Sequence, residues 1–430
     1  MQSMSNRQVI THNIQSPVVT VPGSKYLANR YIALAAIATG TTQLRNLPQN
    51  DDIEAALDAI TQLGASVTEI SPGVVDIEGI KHYSLAQTAE INCRDSGTLS
   101  RFITAVASNL STEVVIDASQ QMRQRPMQEV SQSLRELGVE VGSDTLPIKL
   151  KGPIKGGYVE LDTSRSSQYL SGLLIACLKA KADTRLRLKG KTVSSSYVQL
   201  TKNAISLFGG VVEGVSNTEL KIPAEQSVSA ASIDIASDVV SSSYFMAAGL
   251  LAETSVTLKA FDFNSPQGES KFYQVLQQMG ADIERTDSQL TLRYQQPLKG
   301  IEVDMGDMPD VVPTLVVLAM FAQGQTYITN IAHLAFKESN RIVDLCDELN
   351  KLGANIEYDD DSIRVTGGQK LTLHKLSSCH DHRLAMSFAL LGIKMPGIVV
   401  TDAQAVEKSF PRYWEFLETM GIQTEVVDAT

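Results

Sequence analysis

Polar turns that each lead into an apolar, Ala- and Leu-rich run carry the residues of this chain most able to do chemistry. The first is Pro22-Gly23-Ser24-Lys25-Tyr26, followed by Arg30. The second is Cys93-Arg94-Asp95-Ser96-Gly97-Thr98 with Arg101, and the third is Ser164-Arg165-Ser166-Ser167-Gln168. Asp238-Val239-Val240-Ser241, Asp307-Met308-Pro309-Asp310 and His380-Asp381-His382-Arg383 complete the series. Intervening loops add Arg123-Gln124-Arg125-Pro126, Ser194-Ser195-Ser196-Tyr197, Lys337-Glu338-Ser339-Asn340-Arg341 and Lys408-Ser409-Phe410-Pro411. A glycine turn that opens a helix aims backbone N–H groups at an anion. Arg adds a planar fork for carboxylate or phosphate, and Lys a mobile point charge. Lys25, Arg125, Lys337, Arg341, Arg383 and Lys408 together would make a cationic pocket for a small substrate with several negative groups. Asp310, a carboxylate among cations, would stay ionised and could accept a proton.

Each stretch also has a plainer reading. Residues 22–25 are not a P-loop, because no second Gly precedes Lys25 and no Ser or Thr follows it. Asp95, Thr98 and Ser241, taken singly, read as helix caps. His380, Asp381 and His382 could suggest a metal, but no third spaced ligand is evident and Arg383 adjoins them, so no metal is expected.

The elements that must position these residues repeat. An apolar residue plus Gly, then a β-type run, recurs at Gly64, Gly138, Gly209, Gly280, Gly353 and Gly421, a period of about 70 residues. Gly just after a helix is the expected C′ residue. Each repeat reads strand–helix–strand–helix–strand–strand. The first helix is apolar all round and so buried on most sides, and the second is amphipathic, as in Ile53, Leu57, Ile60 and Leu63. The predicted fold class is therefore α/β (α+β): six βαβαββ units, three per domain, with buried helices walled by sheet. The chain should cross between domains twice, with the second crossover near residues 233–238 and the N-terminal strand completing the sixth unit. That assigns residues 1–23 plus 238–430 to one domain and 24–237 to an inserted one. Because the repeats are equivalent, the polar turns should face one interdomain cleft.

Composition narrows the partners. A net charge of −11 argues against nucleic acid or an anionic membrane surface. No apolar window reaches transmembrane length, and residues 1–7 lead into a strand and not a signal core. Cys93, Cys177, Cys346 and Cys379 lie far apart and read as free thiols in a reducing cytoplasm. A cytoplasmic monomer without cofactor is the expectation.

Taken together, Pro22-Gly23-Ser24-Lys25 with Asn29-Arg30, Ser96-Gly97-Thr98 with Arg101, Arg125-Pro126, Ser166-Ser167-Gln168, Lys337-Glu338 with Arg341, Asp381-His382-Arg383 and Lys408-Ser409-Phe410-Pro411 resemble the enolpyruvyl transferase family over essentially the whole chain. The resemblance implies two inverse α/β barrel domains, no metal, and transfer of the enolpyruvyl group of phosphoenolpyruvate to the 5-hydroxyl of shikimate 3-phosphate. By the same resemblance Lys25, Tyr26, Arg30, Ser166, Ser167, Gln168, Ser194, Tyr197, Asp310, His333 and Lys337 would surround shikimate 3-phosphate. Lys25, Gly97, Arg125, Gln168, Arg341, Arg383 and Lys408 would surround phosphoenolpyruvate. Asp310 would act as base, and Glu338 with Lys25 would protonate the methylene carbon. The acceptor side departs most from the family pattern, at Tyr26, His333, Leu334-Ala335 and Ser196, while Gln121 and Arg94 replace a usual Arg and Gly.

Overall fold

The computed structural model describes residues 5–190 and 195–427. The chain forms two compact units, one of Pro22–Ala236 and one of Met1–Val21 with Ser237–Thr430.

The inserted unit holds three repeats. The first contains α1 (Lys25–Ile37), strand Thr41–Arg45, α2 (Asp51–Gln62) and a hairpin of Ser66–Ser71 with Val74–Glu78. The second contains strand Ala89–Asn92, α3 (Gly97–Ala107), strand Val114–Asp117, the short α4 (Gln120–Arg123), α5 (Gln128–Glu136) and strands Glu140–Val141 and Ile148–Lys151. The third contains strand Gly157–Asp162, α6 (Gln168–Ala176), strand Thr184–Lys189, α7 (Ser195–Leu207) and strands Glu213–Ser216 and Glu219–Ile222. In the second and third repeats the opening strand pairs in parallel with the strand after the buried helix, and the closing strands add antiparallel.

The other unit repeats this plan with buried helices α8 (Val239–Leu251), α10 (Val312–Met320) and α12 (His382–Leu391), and outer helices α9 (Phe272–Gln278), α11 (Val343–Asn350) and α13 (Tyr413–Thr419). Every residue of α8, α10 and α12 is buried, as an all-round apolar helix must be. The N-terminal strand Asn6–His12 lies between Val399–Thr401 and Ile422–Val427.

Two strands are exchanged in a way the sequence reading did not foresee. Val18–Thr20 leads into α1 but pairs with Ser255–Lys259 of the fourth repeat. Ser232–Asp234 leads into α8 but pairs with Thr41–Arg45 of the first. The first sheet of the inserted unit is thus completed by that unit's own last strand, and the fourth repeat's sheet by a strand from the N-terminal segment. The six sheets are separate and open, each of four strands in line, so no continuous ladder closes a barrel among the described residues.

All six repeat glycines adopt the left-handed conformation that ends a helix, with φ between 77° at Gly209 and 109° at Gly280. Four of the polar turns cap the buried helices through Ser24, Ser96, Asp238 and Asp381, whose side chains accept from backbone N–H groups. Ser96 and Asp238 take the positions expected of Asp95, Thr98 and Ser241. Asp95 instead bonds Ser119, and Thr98 Oγ1 accepts from Gln168. Among the described residues no helix is long and apolar enough to cross a membrane.

Candidate active site

In the inserted unit the charged side chains gather at the N-terminal ends of α1, α2, α3 and α6. Lys25 opens α1 and is 7 % exposed, and its Nζ lies 3.0 Å from Asp52 Oδ2 on the first turn of α2. The Tyr26 ring stands 5.6 Å from the same ammonium and meets Tyr197 edge to face at 5.2 Å. Arg30, one turn on, is buried. Its Nε donates to Thr201 Oγ1 (2.8 Å) and its Nη groups donate to the carbonyls of Tyr26 (2.8 Å) and Tyr197 (3.1 Å). These acceptors are neutral, and burial brings the Arg30 pKa down to about 10.

Gly97 lies directly against two guanidinium groups, so that a side chain there would displace one of them. A Cβ there would lie 2.4 Å from Arg125 Nη1 and 2.6 Å from Arg101 Nη1. Arg101 Nη1 donates to the Gly97 carbonyl (2.8 Å) and to Gln168 Oε1 (3.2 Å), and Gln168 Nε2 donates to Thr98 Oγ1 (3.0 Å). Arg125 follows α4, whose N-cap is Ser119. Ser166 Oγ accepts from the Gln168 N–H (3.2 Å), and Ser167 is buried at the same helix start. This end of the unit therefore presents Arg101 and Arg125 against a bare backbone at Gly97, and Lys25 at the start of α1. Ser194 lies outside the described residues.

In the other unit a second cluster interleaves acids with cations. Arg341, 1 % exposed, gives Nε and one Nη2 bond to Asp381 (2.7 and 3.1 Å), a second Nη2 bond to Glu338 (2.8 Å) and one Nη1 bond to Asp310 (2.9 Å). Burial alone would lower the Arg341 pKa, but Asp381, Glu338 and Asp310 together hold it above the ordinary arginine value. Four of its five N–H donors are thus committed to protein, which leaves one Nη1 N–H for a ligand. The sequence reading had Arg341 open to substrate. Its first task in this structure is to hold three carboxylates.

Asp310, in the 3-10 turn Pro309–Val311, also lies 3.5 Å from Lys337 Nζ and 3.7 Å from Arg383 Nη2. Glu338 Oε1 accepts from Lys408 Nζ at 2.7 Å. Arg383 Nη1 donates to Tyr244 OH (2.9 Å), whose pKa burial pushes up to about 12 against the pull of Arg383. Asp381 caps α12, accepting from the Arg383 N–H (2.8 Å), and also accepts from Ser339 Oγ (3.0 Å). Glu269, fully buried, accepts the Asp310 backbone N–H at 3.4 Å. His333 is buried in the turn Ala332–Phe336. Among the described residues no three His, Cys, Asp or Glu side chains are grouped to hold a metal ion.

Sequence reasoning missed Asp52, Tyr244 and Glu269, and it read Asp381 as a metal partner or cap without its bond to Arg341. Asp52 carried a faint signal, an acidic pair Asp51-Asp52 at a helix start after Asn50. Nothing local pairs it with Lys25.

One unit thus holds two carboxylates bracketed by cations, the other a cationic helix end over Gly97, and the relatives of the chain are transferases. The family profile of EPSP synthase (3-phosphoshikimate 1-carboxyvinyltransferase) matches residues 10–417. The chain is 34% identical over 407 residues to the 3-phosphoshikimate 1-carboxyvinyltransferase of Photobacterium profundum, covering 93% of this chain and 95% of that one. It is 33% identical over 414 residues to the enzyme of the same name from Citrobacter koseri, covering 93% and 95%. The EPSP synthase of Acinetobacter baumannii superposes with a TM-score of 0.84 at 26% identity, over 99% of this chain and all of that one. The enolpyruvyl transferase NikO from Streptomyces tendae shares the fold, with a TM-score of 0.79 at 16% identity over 99% of this chain and 100% of that one. The chain belongs to the EPSP synthase family.

Proposed function

We propose that the chain transfers the enolpyruvyl group of phosphoenolpyruvate to the 5-hydroxyl of shikimate 3-phosphate and releases phosphate. Asp310 takes the proton of the attacking hydroxyl. Glu338, assisted by Lys25, delivers a proton to the methylene carbon as the C–O bond forms. The tetrahedral adduct then loses phosphate as a proton leaves the new methyl group, which restores the enol ether. Arg125, Gln168, Arg383, Lys408 and the remaining Nη1 N–H of Arg341 bind phosphoenolpyruvate over Gly97. Tyr26, Arg30, Ser166, Ser167, Ser194, Tyr197, His333 and Lys337 hold the acceptor. Fixed charges of this kind stabilise the transition state without reorganising.

The observation that carries this reading is Asp310, gripped by Arg341, Lys337 and Arg383, with Glu338 gripped separately by Lys408 and Arg341. A carboxylate paired with cations is a proton acceptor, the role given to Asp310, and Glu338 donates only after it has itself taken up a proton. The test is phosphate release from phosphoenolpyruvate with and without shikimate 3-phosphate. Release that needs both substrates and falls about 100-fold or more in Asp310→Asn supports the assignment, since a general base contributes about that much.

The Tyr26–Tyr197 pair beside Lys25 favours a second reading, in which the acceptor is a different hydroxylated anion. Absence of turnover with shikimate 3-phosphate, and turnover with another member of an acceptor panel, would select it. A protein that binds phosphoenolpyruvate and turns over nothing would be a non-catalytic relative.

A further inference from the structure

Arg94 lies outside the groups assigned to either substrate, yet it joins three segments that carry them. Its backbone is left-handed, with φ 50°, in the turn just before the Ser96 cap of α3. That conformation is strained for a side-chain-bearing residue and persists only when its surroundings hold it. Here Asn92 Oδ1 accepts the Arg94 N–H (2.9 Å), and the Arg94 carbonyl accepts the N–H of Ser119 (2.9 Å). Ser119 caps α4, which leads to Arg125. The Arg94 side chain reaches the other way, to the outer face of α2. Nη1 lies 3.1 Å from Glu54 Oε2 and 3.6 Å from Asp51 Oδ1, and Nη2 lies 3.0 Å from Asp58 Oδ2.

Those acids flank Asp52, the partner of Lys25. Three acids open α2, namely Asp51, Asp52 and Glu54. Asp52 turns inward to the lysine, and the others turn outward to one guanidinium. The two sets of contacts hold the same helical turn from opposite sides. Like charges this close repel one another, and burial raises the Asp51 pKa further, so this turn needs a cation on its outer face.

We propose that Arg94 is a positioning residue. By clasping the first turns of α2 from the α3 turn, it sets where Asp52 holds the Lys25 ammonium relative to Gly97 and Arg125. The catalytic relevance of that spacing rests on the proposed function. The clasp itself does not.

Arg94→Gly is the informative variant, because glycine keeps the left-handed turn and removes only the side chain. Two readouts separate the clasp from the reaction. The first is competitive acylation of lysines followed by mass spectrometry, which needs no turnover. In Arg94→Gly, Lys25 should be modified about fivefold faster, the scale of a partly exposed, multidentate ion network, while exposed Lys151 is unchanged. Adding Glu54→Gln and Asp58→Asn to Arg94→Gly should bring the Lys25 rate part of the way back, because neutralising those acids relieves the repulsion that Arg94 offsets.

The second readout is steady-state kinetics. The kcat/KM for phosphoenolpyruvate should fall about fivefold, with kcat contributing because Lys25 assists the proton transfer, and the ratio of wild-type to variant kcat/KM should shrink as salt rises to about 0.5 M and screens the clasp. An unchanged Lys25 acylation rate overturns the proposal. So does a rise shared by the half-buried Lys179, Lys202 and Lys221 together with a lowered melting temperature, which is general loosening. If the wild type releases no phosphate from this substrate pair, the proposed function fails, and the acylation result still decides the clasp.

Discussion

Gly97 is the residue at which backbone and chemistry are least separable. Its Cα faces the guanidinium groups of both Arg125 and Arg101, so its missing side chain is what lets two cations lie over a helix N-terminus. Gly97→Ala would place a methyl 2.4 Å from Arg125 Nη1, well inside contact distance. Arg101 cannot yield easily, being tied to the Gly97 carbonyl, Gln168 and the Pro126 carbonyl. Arg125 must therefore move. Overpacking of this kind costs about 1–3 kcal/mol, so the KM for phosphoenolpyruvate should rise about tenfold or more, with a smaller effect on the KM of the acceptor. Kinetics at saturating acceptor would check this, and an unchanged KM would mean that the anion does not sit over Gly97. At this scale the sequence told which residue types were present but not what they touch. Gly97, Arg125 and Arg341 stood out by type and turn context. That Arg341 gives four of its five donors to Asp310, Glu338 and Asp381 was not readable, because those bonds span up to 40 residues and depend on how α10, α11 and α12 pack.

At the scale of the element, the buried helices position chemistry through their caps. Asp381 is the clearest case, since one carboxylate both starts α12 and takes the bidentate bond of buried Arg341. The two tasks can be separated. Asp381→Asn keeps a good N-cap but removes the charge, while Asp381→Ala removes both. Arg341 keeps Asp310 and Glu338, so weakening its bonds to Asp381 costs about 1.5–3 kcal/mol, and losing the cap adds about 1 kcal/mol. Urea denaturation should therefore order stability as wild type, then Asp381→Asn, then Asp381→Ala, with the first step the larger. A larger second step would make Asp381 chiefly a cap. The caps also show what the sequence could and could not supply. Ser, Asp and Thr crowd each turn, so that each helix is capped was evident from residue type. Which hydroxyl or carboxylate does it, Ser96 over Asp95 and Thr98 or Asp238 over Ser241, turns on a shift of one to three residues in where the helix begins.

Across the whole molecule, the repeat was the most readable feature, because six C′ glycines at a constant period are a backbone requirement and not a packing outcome. The exchange of opening strands was hidden for the converse reason. Val18–Thr20 and Ser232–Asp234 have interchangeable β-type composition, and only long-range pairing shows which sheet each joins. That exchange has a testable consequence. The inserted unit begins and ends at one place, where the Ser24 N–H donates to the Ala236 carbonyl at 2.8 Å, and its first sheet is completed by its own last strand. Residues 22–236 therefore hold all the strands of their three sheets, a self-contained core and the Lys25–Asp52 pair. Expressed alone, this segment should unfold cooperatively in urea and still acylate Lys25 slowly, yet release no phosphate from phosphoenolpyruvate, since Asp310 and Glu338 lie outside it. Shortening it to end before Ser232 removes the parallel partner of Thr41–Arg45 and the Arg45–Asp234 ion pair, and should cost much of that cooperativity. Equal stability of the two fragments would mean that the exchanged strand is a tether between units and not a structural member of the first sheet.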